Sequence, residues 1–313
     1  MIGTCGLCGT PETPLCYSDL IPRAIPRWVR LSMAGDLNPN PVVITEKRAV
    51  QTNFRVAEYF LCPHCEDRLN KGGETWVLRN AYRGGEAFQM RSALSKALPL
   101  VRLSDALLLD VSTVPDFQLP KLIYFAAGIF WKAAARKWHA VDHDVQLDFG
   151  PYAERFRRYL LGRDPFPERA ALIVNVFGNP RPLICAFFPY FGGRISGTSQ
   201  YRMALPGLVF WLHLGHLPGP LKALCAVRNN AVFLVSNLDT VFVRDGGKLI
   251  SLTKPAASLL ESKVVLSTFR SDRRRLVERP PRAGSVRGIL RVARHPAEAA
   301  KTALGKRPET RLA

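Results

Sequence analysis

Acidic side chains are scarce in this chain. Its 313 residues include 25 Asp and Glu against 44 Lys and Arg, a formal net charge of +19. That imbalance argues against cationic partners and suits polyanions, meaning nucleic acid or an anionic membrane surface. Long apolar runs are missing too. A membrane-spanning helix needs about 18 or more consecutive apolar residues, and the nearest approach, residues 203–217, is interrupted by Pro206, His213 and His216. Residues 1–15 have neither the basic start nor the apolar stretch of a secretory signal. A soluble cytoplasmic protein is therefore expected, in which seven cysteines serve as metal ligands or buried thiols rather than disulfides. No G-x-x-x-x-G-K-S/T, G-x-G-x-x-G or H-E-x-x-H pattern occurs, which removes the standard phosphate cradles and the metalloprotease helix. Gly192-Gly193-Arg194 and Gly246-Gly247-Lys248 read as turns.

What is present divides the chain into three parts. Hydrophobic residues make up 47% and charged residues 22%, which excludes wholesale disorder and allows a sizeable core. Residues 1–80 hold 9 basic and 8 acidic side chains, residues 81–269 hold 22 and 13, and residues 270–313 hold 13 and 4. The last part, opening on RSDRRRLVERPPRAG, has few large apolar residues and reads as a flexible basic tail.

In the first part, residues 28–31 suggest a short helix after Pro26, and residues 42–45 and 54–61 the strands of a hairpin. A helix is expected from Glu66. Residues 86–140 look mainly helical, with a buried, basic-ended helix over 119–138 and a shorter amphipathic one over 151–161. Short β-rich runs follow at 171–177, 183–188, 208–214, 231–235 and 240–243. Asn229-Asn230 and residues 245–247 read as hairpin signals. The expected fold class is α+β, with helices packed on a mostly antiparallel sheet.

Cys5-x2-Cys8 and Cys62-x2-Cys65 are the strongest chemical signal. Two such pairs supply four thiolates, the closed tetrahedral set of a structural Zn²⁺. Cys16, Cys185 and Cys225 are then left as buried thiols. Cys62-Pro63-His64-Cys65 also spells a disulfide-oxidant motif, but the partner pair accounts for these cysteines better.

The order Cys5–Cys8, SDLIPRAIPRWVR at 18–30 and FLCPHCEDRLNKGGETWVL at 60–78 resembles the HNH-like zinc proteins with a CxxC…SHIIP…LCxxCE…GE pattern. The resemblance covers about the first quarter of the chain. It implies a treble-clef (ββα-metal) module and, in active members, phosphodiester hydrolysis by a general-base His. Here Asp19 holds the His slot, and a free Asp, with a pKa near about 3.9, is a weak base at neutral pH. Glu66, Asn70 and Glu74 follow the second cysteine pair where the catalytic metal would be held. Two readings stay open. Asp19, Glu66, Asn70 and Glu74 bind Mg²⁺ or Mn²⁺ and support a variant endonuclease, or the site is degenerate and Asp19 serves a turn or helix cap.

Three basic clusters are candidates for a phosphate track: Lys132, Arg136 and Lys137; Arg155, Arg157 and Arg158; and Arg273, Arg274 and Arg275 in the tail. The expected partner is nucleic acid, DNA before RNA. A membrane-surface association through residues 286–294 of the tail is the weaker alternative. His139 and His143 would share a helical face, and His213 and His216 lie in an apolar run where core histidines are the default.

Overall fold

The computed structural model describes residues 1–236 apart from 33–39, 41, 45–48, 85–86, 142–143, 181, 183–185 and 196. The expected strand at 240–243, the turn at 245–247, the tail with Arg273, Arg274 and Arg275, and His143 and Cys185 all lie outside the described residues.

Two short strands, β1 (Ile2–Gly3) and β2 (Thr13–Pro14), pair antiparallel and hold the first cysteine pair in the loop between them. β3 (Cys16–Asp19) leads into α1 (Ala24–Ser32), with Pro26 in the first turn, where its missing N–H costs nothing. The expected hairpin of residues 42–45 with 54–61 does not form. β4 (Val42–Ile44) pairs with β5 (Ala49–Gln51), its near neighbour in sequence, whereas β6 (Ala57–Leu61) pairs antiparallel with β3. Closing the shorter loop costs less entropy. The β3–β6 pairing also carries Phe60 and Leu61 into the core and brings the second cysteine pair back to the first.

Cys62, in extended geometry, caps α2 (Pro63–Leu69), with proline at a helix start that does not need its N–H. The helix continues through one π-helical turn, Asn70–Glu74, into α3 (Thr75–Asn80).

Residues 86–140 are less helical than expected. α4 (Gln89–Leu94) and α5 (Leu119–Ala135) flank an antiparallel pair, β7 (Pro99–Arg102) and β8 (Ala106–Asp110). The Leu-Leu-Leu run of β8 has helical propensity, but pairing on both sides within a sheet overrides it. α5 stops before Trp138. That residue lies in β9 (Trp138–His139), paired with β10 (Asp144–Val145), so His139 stands on a strand rather than on the expected helix. α6 (Tyr152–Leu160) follows, burying Phe156 and Leu160.

The sheet has seven strands in the order β12-β13-β14-β11-β15-β8-β7, with β11 (Ala170–Phe177), β12 (Phe187–Ile195), β13 (Thr198–Leu205), β14 (Leu208–Gly215) and β15 (Ala231–Val235). β11 and β15 run parallel; the other neighbours are antiparallel. Before β15 come α7 (Gly219–Ala223) and α8 (Ala226–Asn229). Asn229-Asn230 is thus a helix end rather than a hairpin turn. Asn230 takes the left-handed conformation, φ +49°, which asparagine tolerates at this position.

One apolar core runs from Cys5 to Val235. α5 is its axis. Phe125 meets Phe210 of the sheet at 6.5 Å, and Phe60 of β6 stacks on Trp131 and meets Trp138 edge-on, each at 5.5 Å. Among the described residues, no helix is long and apolar enough to cross a membrane.

Candidate metal centre

The ligand sulfurs of Cys5, Cys8, Cys62 and Cys65 all lie within 4.8 Å of one another, and Cys8 Sγ is 3.9 Å from Cys62 Sγ. Four sulfurs about 2.3 Å from a central ion stand about 4 Å apart, so the group fits a tetrahedral ion such as Zn²⁺ and leaves no open position for substrate. The surrounding backbone is arranged for it. The Cys62 N–H donates to Cys5 Sγ at 3.3 Å, and Thr10 Oγ1 lies 3.1 Å from Cys8 Sγ. The Gly9 N–H donates to the Cys5 carbonyl, and its φ of +80° is one that a side chain resists. Gly6 is needed for a different reason: a Cβ there would stand 2.0 Å from the Phe60 ring.

Burial raises the Cys62 and Cys65 thiols above their ordinary range. Burial also works against ionising Cys8, but hydrogen bonds from Thr10, Cys5 and Cys65 outweigh it and bring that thiol down to about 6. A bound dication would hold all four as thiolates. Outside the group, Cys225 is buried as expected, whereas Cys16 is half-buried.

Beside this centre the sequence-predicted carboxylates gather around a lysine. Asp19 accepts from Arg55 through both oxygens, Nε to Oδ1 at 2.9 Å and Nη2 to Oδ2 at 2.6 Å. Its main-chain carbonyl accepts from Lys132 Nζ at 2.6 Å. Lys132 is buried on α5, and burial lowers its pKa against the opposing pull of Glu74, Glu66 and Asp19. Burial raises the Glu74 carboxyl; Lys132 holds it down in part, while Glu66 and Asp19 push it further up. Glu66 Oε1 is buried without a hydrogen-bond partner. Asn70 is exposed and accepts from the Thr75 hydroxyl at 2.7 Å.

The expected carboxylate metal site is therefore not assembled. Among the described residues, the four cysteines are the group of three or more Cys, His, Asp or Glu ligand atoms at metal-holding distance; Asp19, Glu66 and Glu74 do not form one. Lys132 must also be removed from the phosphate track, because its ammonium is inside. The apolar periodicity of α5 was legible, but not that the cysteine module covers its far end.

The other basic candidates are at the surface and mostly paired. Arg136 donates to the Tyr59 carbonyl at 2.9 Å and lies 3.4 Å from Glu58. Lys137 pairs with Asp144 at 2.7 Å. Arg155 stands over the Tyr152 ring at 5.5 Å, and Arg158 is bridged to Asp164. Arg157 pairs with Glu154 and donates to the Leu7 carbonyl at 2.7 Å, which fastens α6 to the cysteine loop. His213 is a core histidine beside Gln200, and burial takes its pKa down to about 4.

Arg55 is the residue that sequence reasoning missed. Its partner lies 36 positions away, a separation at which no local spacing signals a pair. Comparison with family models, curated proteins and solved structures finds no match to this chain.

Proposed function

We propose that the chain is a zinc-held nucleic-acid-binding protein of HNH-like, treble-clef type whose catalytic site is degenerate. The element order supports the treble-clef reading: a cysteine loop, a two-stranded β3–β6 unit, then a helix whose first turn completes the thiolate set.

One observation carries the loss of catalysis. Asp19, in the slot of the general base, has both carboxylate oxygens bound by Arg55. With both oxygens accepting from the guanidinium, the carboxylate is not free to meet the water that a general base would have to deprotonate. The place where a metal would be drawn by Glu66 and Glu74 has the protein's own ammonium, Lys132, as neighbour.

Binding rests on the net charge of +19 and on surface cations such as Lys137, Arg155 and Arg158. No base-reading motif accompanies them, so phosphate contacts dominate. The affinity for duplex DNA should then fall steeply with salt, the log–log slope being about 0.9 for each phosphate neutralised. Fluorescence anisotropy across a salt series measures this. A flat salt response, or no binding at low salt, would remove the nucleic-acid reading. Mg²⁺- or Mn²⁺-dependent cleavage lost in Asp19→Ala would favour the endonuclease.

A further inference from the structure

The β3–β6 pair has one covered and one open face. Phe60 points inward against Trp131 and Trp138, and Ser18 is buried with it. Tyr17 and Tyr59 are direct cross-strand partners, with ring centroids 5.2 Å apart, and they remain 49% and 38% exposed. Two adjacent tyrosines left in solvent forgo apolar burial that the core readily supplies elsewhere, which marks a contact surface.

One arginine borders this pair: the Arg55 guanidinium stands over the Tyr17 ring at 5.5 Å. Its acidic partner lies deeper, side-chain exposure being 34% for Arg55 against 18% for Asp19, so the more exposed charge beside the rings is the cation. Arg136 belongs to the covered face, over the Phe60 ring at 5.9 Å and against Glu58. Arg55 gives two of its five N–H donors to Asp19, and among the described residues no other acceptor takes the rest.

Two exposed rings, tilted 55° to each other and edged by a guanidinium group, match one polyanion in particular. The bases of an unpaired strand offer free π-faces, and its phosphates pass within reach of a flanking arginine. A duplex keeps its base faces stacked inside, and an acidic peptide has charge but no rings to stack. Resting on the reading of the chain as a nucleic-acid-binding protein, we infer that Tyr17 and Tyr59 form a stacking platform for single-stranded nucleic acid, with Arg55 facing its backbone.

The test uses the full chain, a fluorescent oligothymidylate, a duplex of equal length and polyglutamate as a competitor. Tyr17→Ala and Tyr59→Ala should each weaken single-strand binding about tenfold, whereas Tyr17→Phe and Tyr59→Phe should hold it within about twofold, because the ring rather than the hydroxyl stacks. Duplex binding, carried by the wider basic surface, should not change. Metal content and circular dichroism establish that each variant is folded; the phenylalanine pair supplies the comparison should an alanine variant fail. Single-strand binding indifferent to the rings, with duplex binding intact, would overturn the platform and leave the wider reading standing. Equal losses on both nucleic acids, or ring-dependent binding of polyglutamate, would also overturn it. No binding of either nucleic acid would remove both readings together.

Discussion

Asp19 and Lys132 show how a single residue changes the chemistry of its surroundings. The Lys132 ammonium is buried among Glu66, Glu74 and the Asp19 carbonyl. Removing it leaves carboxylates without a compensating charge in a poorly solvated place, at a cost of about 3 kcal/mol. Lys132→Met should therefore lower the urea midpoint at pH 8. The deficit should shrink on acidification. Burial already raises Glu74 above its usual 4.5, so its stabilising protonation is present in acid and lost as pH rises through the folded value. Without Lys132 that value moves higher still, and the loss extends further toward neutral pH. Adding Glu74→Gln should recover part of the stability at pH 8; a deficit equal at pH 5 and pH 8 would contradict the coupling. None of this was legible in the sequence. Lys132 reads there as the basic end of a helix, because an ion's burial depends on what other elements bring over it.

At the scale of elements, the helical run from Pro63 to Asn80 meets α5 through a π-turn that holds two glycines. A Cβ on Gly73 would lie 2.4 Å from the Lys121 carbonyl oxygen and 2.8 Å from the Phe125 nitrogen, and one on Gly72 would lie 2.4 Å from the Tyr124 ring. Backbone cannot step aside as a side chain can, so Gly73→Ala should cost about 1–3 kcal/mol by overpacking. Gly72→Ala, facing a ring, should cost less. Chemical denaturation of the two variants measures the order, and an unchanged Gly73→Ala would contradict the close crossing. The helices at 119–135 and 152–160 and the strands 170–177, 208–215 and 231–235 were readable, because their apolar patterns are strong and their lengths ordinary. β7 and β8 were not, since their strand geometry comes from pairing within the sheet. The partners of β4 and β6 were confused because alternation marks a strand without naming its neighbour. The cysteine spacing did mark the four thiols that the fold gathers at one point, since paired C-x2-C knuckles are constrained locally.

Across the whole molecule, the four-cysteine cluster is joined to the sheet through one continuous core. Phe60 neighbours both the cysteine loop, at Gly6, and Trp131 on α5. Stripping the metal with a strong chelator should loosen that loop and alter the fluorescence of Trp131 and Trp138, and should lower the thermal midpoint by about 10 °C or more. A chelated protein with unchanged fluorescence and midpoint would contradict a structural ion. The same cluster stands beside a group of carboxylates in which Asp19, the general base of the proposed HNH-like reading, is bound by Arg55, on a chain of net charge +19. Incubating the intact protein with supercoiled plasmid and Mg²⁺ or Mn²⁺ tests binding without cleavage most directly. The plasmid should be retarded on a gel and should return fully supercoiled once the protein is removed. Nicked circles made by the unmodified protein and absent with Asp19→Ala, or a plasmid that is never retarded, would contradict the account.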